Sequence, residues 1–338
     1  LLPKTVMASW SCLVYVSSLI TVSCIDRTMD PQLRCSKGYY SVCEMELPPT
    51  SEHASQQPDP PCWVAVLVGG VIGRFYPEPT LKHVVRPLVK AGCAVDYYVM
   101  LSGPLDEGGF SAYWYRAVNN PRFGNMTWHA FEEYLLGRAS RAGVRRAALH
   151  HRTDVALDSF PQNSSWRRHF RKGKKKSLTF IRNVLYLQGL ELMWNWTKSF
   201  KEHHLYTQIV VVRGDTYWLD DLPISMFDAQ DTAYSRSLGV LCTEGVGKDD
   251  WPDDRVFVFG RNVADQILTA YTAFLHDQSP LLQGARFNED FISRLAKLRG
   301  VRWRFVPRDL MPYFWAVHMQ LPDREPFLCL RGTTRERL

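Results

Sequence analysis

Short apolar runs alternate with amphipathic stretches along most of the chain, from about residue 62 onwards. Apolar runs that end in glycine or charge predict buried strands at 63–70, 94–101, 209–212, 255–260 and 301–306. Apolar residues at helical spacing predict helices at 80–91, 127–142, 177–200, 262–276 and 288–299. The polar, basic stretch 150–177 predicts an insertion. Strands that alternate with helices in this way are typical of an α/β fold with a largely parallel central sheet.

Residues 6–25 form an uncharged, mainly apolar stretch near the start of the chain. As a helix of about 1.5 Å per residue it would reach about 30 Å, the thickness of a bilayer core. The pattern predicts a transmembrane signal-anchor within residues 1–25; a cleaved signal peptide and a buried core helix are the alternatives. Residues 26–61 are rich in Pro, Ser and Gln and predict a flexible stem, so we expect the globular domain at 62–338.

Glycosylation motifs and cysteines favour the secretory route. Acceptor sites for N-glycosylation occur at Asn125, Asn163 and Asn195; Asn125 is the favoured one, and Asn195 lies on a predicted helix. Of eight cysteines, two lie in the apolar stretch, and the other six form an even number that fits lumenal disulfides, although free thiols fit as well. We therefore expect a single-pass membrane protein, attached through residues 6–25, in the lumen of the Golgi or endoplasmic reticulum.

The net charge of +7 is concentrated in one segment. Residues 167–176 contain seven Lys or Arg and no acid, and the rest of the chain has no net charge. A localised patch argues against a broadly basic nucleic-acid-binding protein, so we expect no nucleic acid as a partner. The patch itself fits a solvated loop, or a surface that attracts phosphates or acidic glycans.

The strand predicted at 209–212 ends in charged residues, with Arg213 and Asp215 just beyond it. In parallel sheets, ligands bind outside the carboxyl ends of the strands. A carboxylate at that position can coordinate a hard cation, which can neutralise a diphosphate. Alternatively, Asp215 caps a turn and Arg213 pairs with it. The residues by themselves leave both interpretations open.

The order and spacing of four stretches resemble GT-A-type glycosyltransferases, especially eukaryotic glycosyltransferase-like proteins known only as domains of unknown function. The stretches are 64–75, 208–223, 249–268 and 288–306. The resemblance spans about 62–318 and implies a single GT-A-like (Rossmann-like) α/β domain. It also implies transfer of a sugar from a nucleotide-sugar donor to a hydroxyl of a glycan or protein acceptor, with a divalent cation, Mn²⁺ or Mg²⁺, as cofactor.

The resemblance implies a donor site after the strands predicted at 63–70 and 209–212. Gly69 and Arg74 would lie in the loop under the nucleotide, and Trp218 would stack on a sugar or base. Asp215 matches the carboxylate of the family's acidic motif, whose usual pattern is Asp-x-Asp. Arg213 stands at the first position of that motif. It would either contact the diphosphate itself and replace part of the cation's charge, or mark a loss of activity.

The resemblance also implies roles for four later residues. Asp254 and Arg255 match a stretch that would position donor or acceptor. Glu289 and Asp290 match the acidic helix start that supplies the catalytic base in inverting relatives, although helix dipoles favour acids there in any protein. His318 matches a late histidine that would hold the metal together with Asp215.

Two other functions remain open from the sequence. One is a non-catalytic protein of the same fold that binds a glycan or a nucleotide. The other is an unrelated α/β enzyme, such as a cytosolic nucleotide-processing one. The sequence contains neither a G-x-x-x-x-G-K-[ST] loop nor a G-x-G-x-x-G fingerprint, which argues against the commoner enzymes of that second class.

Overall fold

The computed structural model describes residues 60–102, 126–152, 178–227, 230–237, 251–283, 285 and 287–315, together with six short strands outside these ranges. The strands of the α/β domain are β5 (Trp63–Val71), β6 (Ala94–Ser102), β7 (Arg146–Arg152), β8 (Gln208–Arg213), β9 (Thr216–Trp218), β10 (Thr232–Ser235), β11 (Val256–Gly260), β12 (Arg302–Phe305) and β13 (Tyr313–Trp315). The short outer strands are β1 (Cys12–Tyr15), β2 (Thr21–Ile25), β3 (Leu33–Lys37), β4 (Ser41–Glu46), β14 (Phe327–Leu328) and β15 (Glu336–Arg337).

Six helices accompany the strands in the described residues. Helix α1 runs over 77–90, as Pro77–Thr80, a π turn at Leu81–Val85, and Arg86–Lys90. The others are α2 (Trp128–Arg141), α3 (Leu178–Lys198), α4 (Arg261–Leu268), α5 (Ala270–His276) and α6 (Asn288–Leu298). Short 3₁₀ turns lie at Ile72–Arg74, Lys201–Leu205 and Ile224–Met226.

Seven strands form the sheet of the α/β domain, in the order β7-β6-β5-β8-β11-β10-β12. The first four are parallel to one another, β11 is antiparallel to both its neighbours, and β10 pairs in parallel with β12. Strands β1 to β4 extend the sheet beyond β7, where β4 pairs antiparallel. Strands β9 and β13 pair separately, antiparallel to each other.

Both faces of the sheet are buried, which explains why its central strands are apolar throughout. Along β5, Val64, Val66 and Val68 pack into the layer that contains α1 and α2. Ala65 and Leu67 point to the opposite layer, which contains α3 to α6. Strands covered on both faces have no solvent side, so they show a continuous apolar run rather than an alternating one.

Local signals set the helix ends. The hydroxyl of Thr127 accepts a hydrogen bond from the Ala130 amide (3.2 Å), which caps α2 and satisfies one of its free N–H groups. Helix α6 stops before Gly300, whose φ of 69° lies in the left-handed region that favours glycine.

The predicted fold class, an α/β domain with a largely parallel sheet, is confirmed by the seven strands β7-β6-β5-β8-β11-β10-β12. Each predicted strand and helix is present, with ends shifted by a few residues. Three differences stand out. Strands β7, β9, β10 and β13 were not predicted; β7 reaches residue 152, into the stretch predicted as an insertion; and the helix predicted at 262–276 is broken at Thr269 into α4 and α5.

The N-terminal predictions concern segments of which the structure describes only short strands. Strands β1 and β2 lie within the predicted anchor, where they pair antiparallel, and β3 and β4 lie within the predicted stem. Among the helices that the structure describes, none combines the length and the apolar character that crossing a membrane requires. The anchor, the stem and the lumenal location stay predictions.

One disulfide ties the beginnings of two neighbouring strands together. Cys62 precedes β5 and Cys93 precedes β6, and their Cα atoms lie 4.6 Å apart. Both belong to the six cysteines beyond the apolar stretch 6–25, whose even number fits disulfides.

Candidate functional site

A cleft of about 520 Å³ lies at the carboxyl ends of the four parallel strands. The last residues of these strands line it, including Gly69, Gly70, Ser102, Arg152 and Arg213. Helix α3 and the start of α6 form the other walls. The cleft therefore lies at the edge of the sheet where parallel α/β folds bind their ligands.

Glycines allow the loops after β5 and β8 to pack backbone against backbone. The amide of Gly214 donates to the carbonyl of Gly69 (2.8 Å), and the amide of Tyr76 donates to the carbonyl of Gly214 (2.9 Å). A Cβ on Gly70 would lie 3.3 Å from the Gly214 nitrogen, and a Cβ on Gly214 would lie 3.0 Å from the Phe75 ring. Side chains at these positions would push the two loops apart.

Three charged side chains form a connected cluster in the cleft. The Arg213 guanidinium donates to both carboxylate oxygens of Asp215, with Nε–Oδ1 at 3.0 Å and Nη2–Oδ2 at 2.9 Å. Its Nη1 donates to Oδ1 of Asp254 at 2.7 Å. Arg74 adds a second positive charge, with its Nη1 3.5 Å from Oδ2 of Asp215.

The charges of this cluster act on the pKa of each carboxyl differently. Burial by itself would raise the pKa of Asp215, but Arg213 and Arg74 outweigh burial and hold it well below its usual range. For Asp254, burial prevails over the attraction of Arg213 and raises the pKa. Asp215 is therefore the firmly ionised member of the cluster.

Glu289, in the first turn of α6, also lines the cleft. Burial and the nearby charge of Asp254 raise the pKa of Glu289 to about 8, although Arg213 acts in the opposite direction. A carboxyl with such a pKa exchanges its proton near neutral pH, which suits a general base. Its neighbour Asp290 does not line the cleft, because its Oδ1 accepts from Arg294 Nε (2.6 Å) one turn further along the helix.

The residues beside Glu289 add a polar and an aromatic surface. Asn288 lines the cleft, its residue is only 6% exposed, and its amide oxygen has no hydrogen-bond partner among the described residues. The ring of Phe287 lines the cleft too and contacts Trp251 edge-on, with centroids 4.6 Å apart. A ligand hydroxyl is the kind of group that would satisfy such a buried amide.

Asn288 and Phe287 were not among the predicted site residues, and neither were Arg152, Tyr186 and Gly189, which also line the cleft. Arg152 ends β7, and its Nη1 donates to the Leu185 carbonyl (2.9 Å). Gly189 gives it room, because a Cβ there would lie 2.9 Å from that nitrogen. Tyr186 donates its hydroxyl to the Asp254 carbonyl (2.8 Å). The only available signal was a charged residue at a strand end, and it required β7 to be recognised.

The cleft gathers six of the predicted site residues: Gly69, Arg74, Arg213, Asp215, Asp254 and Glu289. Trp218 and Arg255 do not line it. The Trp218 ring is buried in the core against Tyr313, with centroids 5.4 Å apart, and Arg255 pairs with Asp253 at 2.7 Å.

The remaining predicted residues are spread along the chain. His318, Asn125 and Asn163 lie outside the described residues. Asn195 is exposed on α3. Thr197 of the same motif is fully buried, and its hydroxyl donates to the Met193 carbonyl (2.8 Å).

A divalent cation, as the family resemblance implies, does not fit the described residues of the cleft. Both oxygens of Asp215 already accept from Arg213, and Arg74 lies beside one of them. Asp254 is also paired with arginine, because its Oδ1 accepts from Arg213 Nη1 at 2.7 Å. The surrounding arginines favour an anion instead.

A second group of potential metal ligands lies elsewhere. His83, Asp220 and Asp221 come close enough together to hold one ion, and His83 Nδ1 lies 2.9 Å from Asp221 Oδ1. His83 lines a smaller cleft of about 380 Å³ that shares no lining residue with the larger one. The aspartates are exposed, and exposed acidic groups of this kind are common without a metal.

Comparisons with known proteins leave the chain's family open. Neither a protein-family model nor a curated protein matches it. Among solved structures, it is similar to the apo crystal structure of mouse xyloside xylosyltransferase 1, with 10% identity, 73% of this chain and 85% of that chain covered, and a TM-score of 0.38. A similarity of this strength carries no argument about function, which has to be argued from the cleft itself.

Proposed function

We propose that this protein transfers a sugar from a nucleotide-sugar donor to a hydroxyl group of an acceptor. The observation that supports this most directly is the composition of the cleft: three arginines, Arg74, Arg152 and Arg213, line it together with Glu289. Arginines suit the diphosphate of a donor, and a carboxylate with a pKa of about 8 suits removal of a hydroxyl proton. The family resemblance of the sequence points to the same reaction.

The proposed reaction makes and breaks one bond at the anomeric carbon of the donor sugar. The acceptor oxygen bonds to that carbon, and the bond from the carbon to the diphosphate oxygen breaks. The nucleoside diphosphate leaves with the electron pair, and Arg74 and Arg213 stabilise its growing negative charge. The acceptor's proton passes to the ionised carboxylate of Glu289.

Two neighbours of Glu289 would bind the sugar. The buried amide of Asn288 would exchange hydrogen bonds with a sugar hydroxyl, which would satisfy its otherwise unpartnered oxygen. The Phe287 ring would contact the apolar face of a sugar ring. Both residues lie at the start of α6, next to Glu289. If the sugar that they bind is the acceptor, its hydroxyl would lie at the same end of the cleft as the base.

A second candidate function, nucleotide or glycan binding without transfer, is favoured by one specific observation. Arg213 stands where the family's acidic motif has its first carboxylate, and it neutralises Asp215 directly. Such a protein would retain the anion-binding cleft without turnover. Binding and transfer therefore have to be measured separately.

The proposed location is the lumen of the secretory pathway. The Cys62–Cys93 disulfide supports it, because disulfides persist in oxidising compartments. After expression in eukaryotic cells, endoglycosidase treatment should shift the protein on a gel, and Asn125→Gln or Asn163→Gln should reduce that shift. Asn195→Gln should not change it, because Thr197 of that motif is buried in α3. A protein without any shift would argue against the lumen.

The test of the transfer itself uses the purified full chain and a panel of nucleotide-sugars. Hydrolysis of each donor is followed by release of the nucleoside diphosphate, and transfer by mass increase of added glycan and peptide acceptors. We expect one donor to be consumed well above the rate without protein. Donor binding without consumption would favour the second candidate. If the protein neither binds nor consumes any donor, both candidate functions are excluded.

A further inference from the structure

The carboxylate of Asp215 is committed to arginine on both of its oxygens. Oδ1 accepts from Arg213 Nε, and Oδ2 accepts from Arg213 Nη2 and lies 3.5 Å from Arg74 Nη1. A hard divalent cation needs carboxylate oxygens at about 2.0–2.6 Å. At Asp215 it would lie within a few ångströms of two guanidinium groups, and it would have to displace the bidentate pair.

Arg213 keeps donors for a ligand after making these bonds. A guanidinium carries five N–H donors, and three of those on Arg213 are used, two by Asp215 and one by Asp254. Its side chain is 22% exposed, and it lines the cleft. The planar group held in place by two carboxylates is therefore oriented in advance for the oxygens of a phosphate.

Two more arginines and a glycine pair complete an anion site around Arg213. Arg74 and Arg152 line the same cleft, on the loop after β5 and at the end of β7. Gly69 and Gly70 line it without side chains, so a ligand can approach their backbone closely. The arrangement supplies positive charge from three different elements, and Asp215 and Asp254, which line the same cleft, hold Arg213 in place.

We infer that the cleft binds the diphosphate of its nucleotide ligand directly through Arg74, Arg152 and Arg213, without a divalent cation, and that Asp215 is a positioning residue for Arg213 rather than a metal ligand. This inference rests on the proposed function for the identity of the ligand. It differs from the acidic-motif role that the family resemblance implies for Asp215.

Calorimetric titration of the full chain with UDP, GDP and inorganic pyrophosphate tests the inference, once in Mn²⁺ and once in EDTA. We expect at least one probe to bind with Kd values that agree within about three-fold in the two buffers. Binding only with Mn²⁺, or no binding of any probe in EDTA, would overturn the inference. Sugar transfer is measured separately. If the protein binds a probe in EDTA but transfers no sugar, the proposed function is wrong and the inference stands.

Variants identify the residues responsible. Arg74→Ala and Arg213→Lys should weaken binding about 10- to 100-fold in either buffer, because each removes charge-assisted hydrogen bonds. Lysine keeps the charge at 213, so the two carboxylates retain a cation and the fold is preserved; a melting curve checks this. Arg261→Ala is the matched control. Arg261 begins α4, pairs with Asp265, does not line the cleft, and its side chain is as exposed as that of Arg74.

Asp215→Asn separates the two roles of Asp215. If Asp215 only positions Arg213, the substitution changes the Kd by the same factor in Mn²⁺ and in EDTA. If Asp215 is a metal ligand, the Kd changes in Mn²⁺ and stays constant in EDTA, and the inference is wrong. Unchanged binding by Arg74→Ala together with Arg213→Lys would also contradict it.

Discussion

Two buried aspartates at opposite ends of the sheet are both held by arginine, yet only one of them faces a cleft. Asp96 lies near the start of β6, and its Oδ2 accepts from Tyr206 (2.5 Å) and from Arg145. Asp215 lies beyond the end of β8 and accepts from Arg213. Asp96 lines neither of the two clefts described above, whereas Asp215 lines the larger one.

The electrostatics of the two aspartates differ in sign. Burial raises the pKa of Asp96, and the opposing effects of Arg145 and Tyr206 do not compensate. The pKa of Asp215 is lowered, because Arg213 and Arg74 outweigh burial. Burial next to an arginine is therefore no sign of function in itself. The informative features at Asp215 are the excess of arginine and the open space beside it.

The largest expected effect on sugar transfer is at Glu289, the proposed base, which lines the cleft at the end of the sheet where Asp215 lies. Glu289→Gln should lower sugar transfer about 10²- to 10⁴-fold, because glutamine cannot accept the acceptor's proton. In the wild type, transfer should rise with pH towards about 8, because the carboxylate must be ionised to act as a base. Initial rates between pH 6 and pH 9 measure both effects.

Asp290→Asn is the matched control for Glu289→Gln, because Asp290 is the adjacent carboxylate and pairs with Arg294 outside the cleft. It should retain the wild-type rate and the same pH profile. A flat profile in the wild type, or equal losses in both variants, would remove Glu289 from the reaction.

The two aspartates can be compared directly through their asparagine variants. Asp215→Asn should lower transfer roughly 10²- to 10³-fold, because Arg213 loses the bidentate partner that orients it towards the diphosphate. Asp96→Asn should leave the turnover of folded protein within about three-fold, since Asp96 bonds to Tyr206 and Arg145 and lines neither of the described clefts. Steady-state transfer rates of the two variants, corrected for the folded fraction, measure this difference. Comparable losses of transfer in both variants would show that the end of the sheet with Asp96 also supports the reaction.

A smaller effect is expected from crowding Arg152, the arginine that ends β7 and lines the cleft. Gly189→Ala would place a Cβ 2.9 Å from the Arg152 guanidinium, which must then shift. We expect KM for the donor to rise about 3- to 10-fold with little change in kcat. Gly137→Ala on α2 is the control, because its Cβ would meet no atom closer than 3.9 Å. It should stabilise the helix by about 1 kcal/mol and leave KM unchanged.

The smallest expected effects are on stability, and they should run in opposite directions. The stabilising contribution of Asp215 is complete above its ordinary pKa of about 4 and is lost as the pH falls below it. The raised pKa of Asp96 makes the wild type lose stability relative to Asp96→Asn as the pH rises above about 4. Melting temperatures between pH 3 and pH 7 should show differences of roughly 2–4 °C. Parallel pH trends would contradict the assigned signs.

The fold could be predicted where burial dictates the residue type. Strands covered on both faces need Val and Ile, so β5 and β8 were evident from their apolar runs. Strand β7 was not recognised, because its alanines and histidines are not typical of a buried strand. The tryptophans that contact its histidines are distant in sequence: Trp128 lies beside His151, and Trp196 beside His150. Strand β10 has only four residues, too few for a clear period.

The sequence placed part of the cleft lining through position along the chain. Arg74, Arg213 and Asp215, which follow or end β5 and β8, were predicted to share a site, and all three line the same cleft. Trp218 was expected beside them because it is close in sequence, but it belongs to β9, which pairs with β13 and buries the ring. Glu289 and Asp290 diverge because successive residues on a helix point about 100° apart. Asn288 depends on the packing of α6, which the sequence does not display.

The Cys62–Cys93 bond makes a covalent ring of the chain between these residues. The ring contains β5, with Gly69 and Gly70 near its end, and helix α1. A single proteolytic cut inside it would leave both fragments attached, so a nicked molecule would migrate as intact protein until a reducing agent is added. Limited digestion that cuts between residues 62 and 93 should therefore yield bands that differ between reducing and non-reducing gels.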